Sequence, residues 1–154
     1  MTVNNSIKND ELGHELLAKF FDSSPIGIYI LQDRVYKFIN PEFLRITGYT
    51  EEELKKIDPL SLVHPEDRDM TRRKAIKMLK GKRNSPYLTR IITKRGQTRH
   101  ILESVNSINY YGRRATLSYF MDNTEQELIK QALWESEEKF EKAFRSSPDW
   151  VVIS

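Results

Sequence analysis

The chain is 154 residues long, room for one domain with a substantial core and short for two. Hydrophobic residues make up 38% and charged residues 31%, so the chain is polar yet above the range in which no core can form. It has no cysteine, which excludes disulfides, Cys-based zinc sites and thiolate chemistry; 25 Lys and Arg against 22 Asp and Glu leave a charge of +3 that names no partner by itself.

Residues 1–10 are polar and read as a disordered tail without the apolar stretch of a secretory signal. From Glu11 onward, Leu12, Leu16 and Phe20 share one helical face and Leu17 with Phe21 widens it, so 11–23 reads as a flanking helix. Pro25 disfavours helix at the residue before it, and the apolar strand Ile26–Leu31 follows. That run of six residues is the longest apolar stretch, against roughly twenty needed to span a bilayer. Gln32-Asp33-Arg34 turns the chain into a second strand, Val35–Ile39, to make a hairpin. Asn40-Pro41 opens a helix that Gly48 ends, and Thr50 to Glu53 is a capping box for a short second helix with Leu54 and Ile57 inward. Pro59 stops it. Pro65 opens a third, longer helix that Gly81 ends. Strands Tyr87–Thr93, Thr98–Ile108 and Ala115–Met121 follow, separated by turns at Lys94-Arg95-Gly96 and Tyr110-Tyr111-Gly112. Thr124 to Glu127 is a further capping box, opening a helix that reaches about Arg145. Two strands, then helices, then three strands indicate an α+β fold, an antiparallel sheet with helices on one face.

An internal repeat organises the chain. Residues 18–30 reappear 123 positions later as 141–153, with Lys19/Lys142, Phe21/Phe144, Ser23/Ser146, Ser24/Ser147, Pro25/Pro148 and Ile30/Ile153 coinciding. In both copies a helical stretch ends at Ser-Ser-Pro and an apolar strand begins. The reading is a whole domain over 24–124, a connecting helix over 125–145, and at 146–154 the truncated start of a second copy.

Several segments in this order resemble the PAS family of sensory domains across about residues 16–124. They are Ser23-Ser24-Pro25-Ile26-Gly27-Ile28, Val35 to Pro41, Thr47-Gly48-Tyr49-Thr50-Glu51-Glu52-Glu53-Leu54, Val63-His64-Pro65-Glu66-Asp67, Arg95-Gly96 and Asp122-Asn123-Thr124-Glu125. The last is similar to the family's Asp-Ile-Thr exit, with Asn123 in the middle position. The resemblance implies a five-stranded sheet in the order 2-1-5-4-3, tandem copies joined by helices, and an interior that holds haem, flavin or a small metabolite, or packs shut.

No catalytic or metal constellation stands out. His14-Glu15 lacks the second histidine of a zinc-protease helix, since Ala18 occupies that place. His64 belongs to a helix start, and His100 to an outer strand face. Glu66, Asp67 and Asp69 complement the dipole of the helix they open, and the cations from Arg68 to Arg83 form a solvated face with few aromatic platforms for nucleic acid. The glycines form no phosphate-binding loop. The interior remains: Ile28, Ile30, Phe38, Phe43, Leu44, Ile46, Leu54, Leu62, Ile76, Leu79, Ile91 and Leu117 are the expected lining of the space between sheet and helices. So apolar a lining favours a filled core over a dedicated site, though a small organic ligand stays open. The cofactor is left unknown: without cysteine a Cys-flavin adduct is excluded, and the missing histidine between Asp67 and Lys80 argues against haem.

In the connecting helix Ile129, Leu133, Ser136, Phe140 and Ala143 are spaced 4-3-4-3, a coiled-coil seam. The same stripe could instead cover the outer face of its own sheet. Signal transfer is assigned to Asp122, Thr124, Glu127, Ile129, Leu133 and Phe140. The expectation is a cytoplasmic, non-catalytic sensory and dimerisation module, by resemblance part of a sensor histidine kinase in a two-component system. Its partners are a second copy through the flanking helices and the neighbouring PAS and output domains, with neither nucleic acid nor membrane. The alternative is a ligand-free spacer that only holds neighbouring domains in register.

Overall fold

A computed structural model of the chain describes residues 2–146, and the side chains of 11–145. The expected second-copy start at 146–154 lies outside the described side chains. The chain divides into two units, Met1–Asp122 and Asn123–Ser154. The first unit holds helix α1 (Thr2–Ser23), strands β1 (Gly27–Gln32) and β2 (Val35–Ile39), helices α2 (Pro41–Thr47), α3 (Glu51–Lys55) and α4 (Arg68–Leu79), and strands β3 (Tyr87–Ile92), β4 (Thr98–Tyr110) and β5 (Arg113–Asp122). The second holds helix α5 (Thr124–Ser146). The five strands form one antiparallel sheet in the order β2-β1-β5-β4-β3, as expected.

Turn and cap chemistry fixes most boundaries. Asp33 and Arg34 both take positive φ, 54° and 61°, the conformation that a two-residue hairpin with right-twisted strands requires. Tyr111 (49°) and Gly112 (79°) do the same between β4 and β5. Gly48, at φ 77°, closes α2, where a residue with a Cβ would be strained. Thr50 and Glu53 form the reciprocal capping box that opens α3.

Four expectations are corrected. The first helix starts at Thr2 and not at Glu11; no proline or glycine interrupts the chain before Gly13. Pro59 does not merely stop α3 but opens a 3₁₀ turn, Pro59–Leu62, capped by Asp58. Pro65 likewise opens a 3₁₀ turn, Pro65–Asp67, and the α-helix begins only at Arg68. At the exit, α5 begins at Thr124 itself, so Asn123 precedes the helix and accepts the Glu127 N–H on its carbonyl at 3.0 Å.

One residue ties the first three elements together. Asn40 is 1% exposed. Its Oδ1 accepts the N–H groups of Ile28 (2.8 Å) and Phe43 (3.1 Å), and its Nδ2 donates to the carbonyls of Phe21 (3.1 Å) and Ile26 (2.9 Å). A single buried amide thus joins the end of α1, the start of β1 and the N-terminus of α2, with all four of its ordinary bonds made.

The sheet carries a bulge that decides which side chains face inward. Ile30 pairs with Phe38 but Leu31 pairs with Tyr36, so Lys37 is an extra residue in β2. Tyr36 and Ile39 point into the core, while Phe38, which would share the face of Tyr36 in an unbulged strand, turns to the opposite face beside Ile30. There its ring meets Phe21 of α1 edge-on at 4.1 Å. On the inner face Tyr29, Tyr36, Ile39, Phe43, Ile46, Leu54, Leu62, Ile91, Ile101 and Phe120 make the main core.

Candidate functional site

Between the inner face of the sheet and the segment from Pro59 to Leu79 lies a cavity of about 390 Å³. Its outer wall is pinned to β3. Val63 bridges Ile91, the His64 N–H donates to the Arg90 carbonyl at 2.8 Å, and the hydroxyls of Thr71 and Thr89 share a 2.6 Å hydrogen bond. Asp67 accepts the Arg90 backbone N–H and two guanidinium N–H groups, and Glu66 takes a third. The Arg90 guanidinium therefore holds the Asp67 carboxyl below the usual carboxylate value. These acids thus do more than complement a helix dipole. They fasten the start of α4 to β3, while Asp69 pairs with Arg73 at 2.7 Å. His64 does cap its helical turn, its Nδ1 accepting the Glu66 N–H at 3.2 Å.

The cavity has a polar centre. Glu103, on β4, is 7% exposed, and its Oε1 accepts the hydroxyls of Tyr29 and Tyr87, each at 2.9 Å. Strand pairing produces this meeting: Tyr87 lies opposite Glu103 across β3 and β4, Phe120 lies opposite it across β4 and β5, and Tyr29 comes from β1 on the same inner face. Burial pushes the Glu103 carboxyl above its usual value of 4.5, and the two tyrosine hydroxyls oppose that rise only in part. Burial, and then the nearby Glu103 charge, push the hydroxyls of Tyr29, Tyr36 and Tyr87 upward as well, so all three remain donors. Ser118, 0% exposed, lies close enough to act on Tyr29 and Glu103, yet its Oγ makes no hydrogen bond.

At the mouth, Arg34 from the β1–β2 turn pairs with Asp58 at 2.8 Å, both side chains being more than half exposed. The backbone N–H of Leu60 and this guanidinium hold Asp58 below the usual carboxylate value. Arg72 of α4 completes the exposed rim.

Of the residues expected to line the interior, Leu62, Ile76, Leu79 and Ile91 do so. Phe43, Ile46 and Leu54 are buried in the core without reaching the cavity, and Leu44 packs against that core from its edge. Phe43 still supports the wall: its ring lies 5.0 Å from Tyr29, 5.6 Å from Tyr36 and 4.8 Å from Phe120. Ile28, Ile30, Phe38 and Leu117 are misassigned. Tyr29 and Leu31 face inward, so Ile28 and Ile30 face outward, and Ile30 pairs with Phe38 on one side and Leu117 on the other. The uniformly apolar run Ile26–Leu31 gave no period from which to choose the face. Glu103 and the tyrosines escaped sequence reasoning, although the alternation Ile101, Glu103, Val105 places one acid at an inward position between two buried aliphatics.

Among the residues assigned to signal transfer, Asp122 ends β5 and pairs with Arg99 at 3.7 Å. Glu127 accepts from the Asn123 amide at 3.5 Å. Ile129, Leu133 and Phe140 are 61%, 59% and 68% exposed along α5, and the Phe140 ring stacks on Phe144 at 6.3 Å. Thr124 is the first residue of the helix.

Among the described residues no histidine or methionine lines the cavity, and the chain has no cysteine, so the lining suits neither imidazole-ligated haem nor a thiol adduct. Among the described residues no cluster of three or more His, Asp or Glu could hold a metal ion, and no helix is long and apolar enough to cross a membrane.

An antiparallel sheet in the order 2-1-5-4-3, with helices over one face and a cavity beneath them, defines a single-sheet α+β domain built around an internal cavity. The sequence profile of the PAS fold matches residues 36–119, more than half of the chain, and the protein belongs to that family. A sensory box histidine kinase/response regulator from Burkholderia thailandensis E264 superposes with a TM-score of 0.64 at 23% identity, covering 82% of this chain and 97% of its own. A PAS domain from a two-component sensor histidine kinase gives 0.60 at 18%, covering 73% and 98%. A Rhodobacter sphaeroides LOV protein gives 0.58 at 19%, covering 79% and 76%. No curated protein sequence matches the chain.

Proposed function

We propose that this chain is a non-catalytic sensory module of a signalling protein, which senses through its cavity and passes the change along α5 to neighbouring domains. The similar domains from histidine kinases support a two-component setting, and the output domain of this protein is then a histidine kinase. One observation carries the reading. β5 contributes Thr116 and Phe120 to the cavity wall and continues, two residues after its last residue Asp122, into α5. A shift of the strand has a covalent route into a 23-residue helix.

The occupant of the α5 stripe is a second copy of the same helix. Ile129, Leu133 and Phe140, with Ser136 between the last two, keep the 4-3 spacing of a two-helix seam and are exposed, while Glu127, Glu138 and Lys142 flank it with charge. Because the chain has no cysteine, single-cysteine variants give an unambiguous test. Leu133→Cys should form a disulfide-linked dimer in mild oxidant and Gln131→Cys should not, while Leu133→Asp with Phe140→Asp should sediment as a monomer. Equal cross-linking at 131 and 133, or a dimer that survives both aspartates, would defeat the seam. Filling the cavity with Ala75→Met should change the output of the parent protein, whereas a pure spacer would not respond.

A further inference from the structure

We propose that the cavity binds a small organic cation, an ammonium or amidinium group on an apolar body, with the Glu103 carboxylate as its counter-charge. This rests on the sensory reading of the cavity given above and assigns its ligand chemistry. Both hydroxyl donors to Glu103 end on Oε1, so Oε2 has no hydrogen bond from the protein, and it is not among the buried atoms left without a partner. Glu103 is itself one of the residues that line the cavity. Among the described residues no Lys, Arg or His forms an ion pair with this acid, although the first unit pairs most of its surface acids. A buried carboxylate without a counter-ion is costly, and a ligand N–H⁺ placed against Oε2 removes that cost while gaining a charge-assisted hydrogen bond.

The walls fit the same class of ligand. Tyr29, Tyr36, Tyr87 and Phe120 bring four aromatic rings to the cavity, and aromatic faces beside a carboxylate attract an ammonium group more than a neutral or anionic one. Leu62 and Ile91 offer the apolar surface for the rest of the molecule. Two guanidiniums stand at the mouth and argue the other way, but Arg34 is neutralised by Asp58 at 2.8 Å and Arg72 is solvent-exposed, where its field is screened.

The experiment is calorimetric titration of the intact chain at neutral pH with three probes of one shape: benzylammonium, benzyl alcohol and benzoate. Benzylammonium should bind about tenfold or more tightly than either of the others, and Glu103→Gln, which keeps the shape and the acceptor for both tyrosines, should lose about that factor for benzylammonium alone. The wild-type comparison stands whether or not the variant folds, and its thermal melt reports folding separately. Equal or tighter binding of benzyl alcohol or benzoate would overturn the cation assignment while leaving the cavity a ligand site; benzoate would point to the rim arginines. Unchanged benzylammonium affinity in a folded Glu103→Gln would also overturn it. Failure of all three probes to bind would overturn the assignment together with the cavity-sensing reading, which separates the two failures.

Discussion

Glu103 is the residue on which the physical character of the interior turns. Its carboxyl sits among aromatic rings, burial raises its pKa, and the tyrosine hydroxyls only partly offset that rise. The sign of the pH effect follows. A carboxyl with a raised folded-state pKa contributes stability that is fully present below its unfolded value near 4.5 and is lost as pH rises through the folded value. Asp67 has the opposite sign, since Arg90 lowers its pKa and its contribution is lost as pH falls below the usual aspartate range. Wild-type protein without ligand should therefore show a falling urea midpoint as pH rises from about 4.5 toward 8, and Glu103→Gln should flatten that slope. A variant whose midpoint still falls in parallel with the wild type would remove Glu103 as the cause. At this scale the sequence was informative about surface acids and blind to this one. Spacing told that Glu66 and Asp67 open a helix, whereas the partner that gives them their main work, Arg90, lies 23 positions beyond Asp67 and is found only through strand pairing.

Elements were legible where local chemistry decides them. Asn40-Pro41, Gly48, Thr50 to Glu53 and the hairpin turns all act within four residues of themselves, and the structure has each of them in the expected role. The lining of the cavity was not legible to the same degree, because it depends on strand phase. The Lys37 bulge inverts Phe38 relative to Tyr36, and an unbroken apolar run hides that Tyr29 rather than Ile28 faces in. The Asn40 knot shows how much a cap can carry beyond its own helix. Removing its side chain leaves the N–H groups of Ile28 and Phe43 and the carbonyls of Phe21 and Ile26 without those bonds, at a site 1% exposed. Asn40→Ala should cost at least about 3 kcal/mol, well beyond the roughly 1 kcal/mol of an ordinary cap. Asn40→Asp keeps both acceptor bonds but turns an oxygen toward two carbonyls, so it should recover little. Chemical denaturation of both variants checks this, and an Asn40→Ala loss of only about 1 kcal/mol would mean that Asn40 is merely a cap.

At the scale of the molecule the question is whether cavity and helix form one device or two independent features. Thermodynamic linkage gives a measurement that needs no knowledge of the output domain. If an occupant of the cavity changes the dimer dissociation constant by some factor per site, dimerisation must change the affinity for that occupant by the same factor. With benzylammonium as the occupant, two experiments must then agree. Sedimentation of the wild type with and without saturating probe gives the factor directly. Titration of the probe into the Leu133→Asp, Phe140→Asp variant, proposed above to be monomeric, and into the wild type, proposed to be dimeric, gives it again, because both substitutions lie on α5, outside the set of residues that line the cavity. A sensory module requires a factor different from one, typically about 5 to 150 for coupled sites, and the same value from both routes. A factor of one from both, with the probe bound and the dimer intact, is the behaviour of a spacer whose cavity and seam ignore each other. Glu103→Gln supplies the internal check: a folded variant that no longer distinguishes the cation should lose the effect of benzylammonium on the dimer while keeping the seam, since Leu133 and Phe140 are untouched.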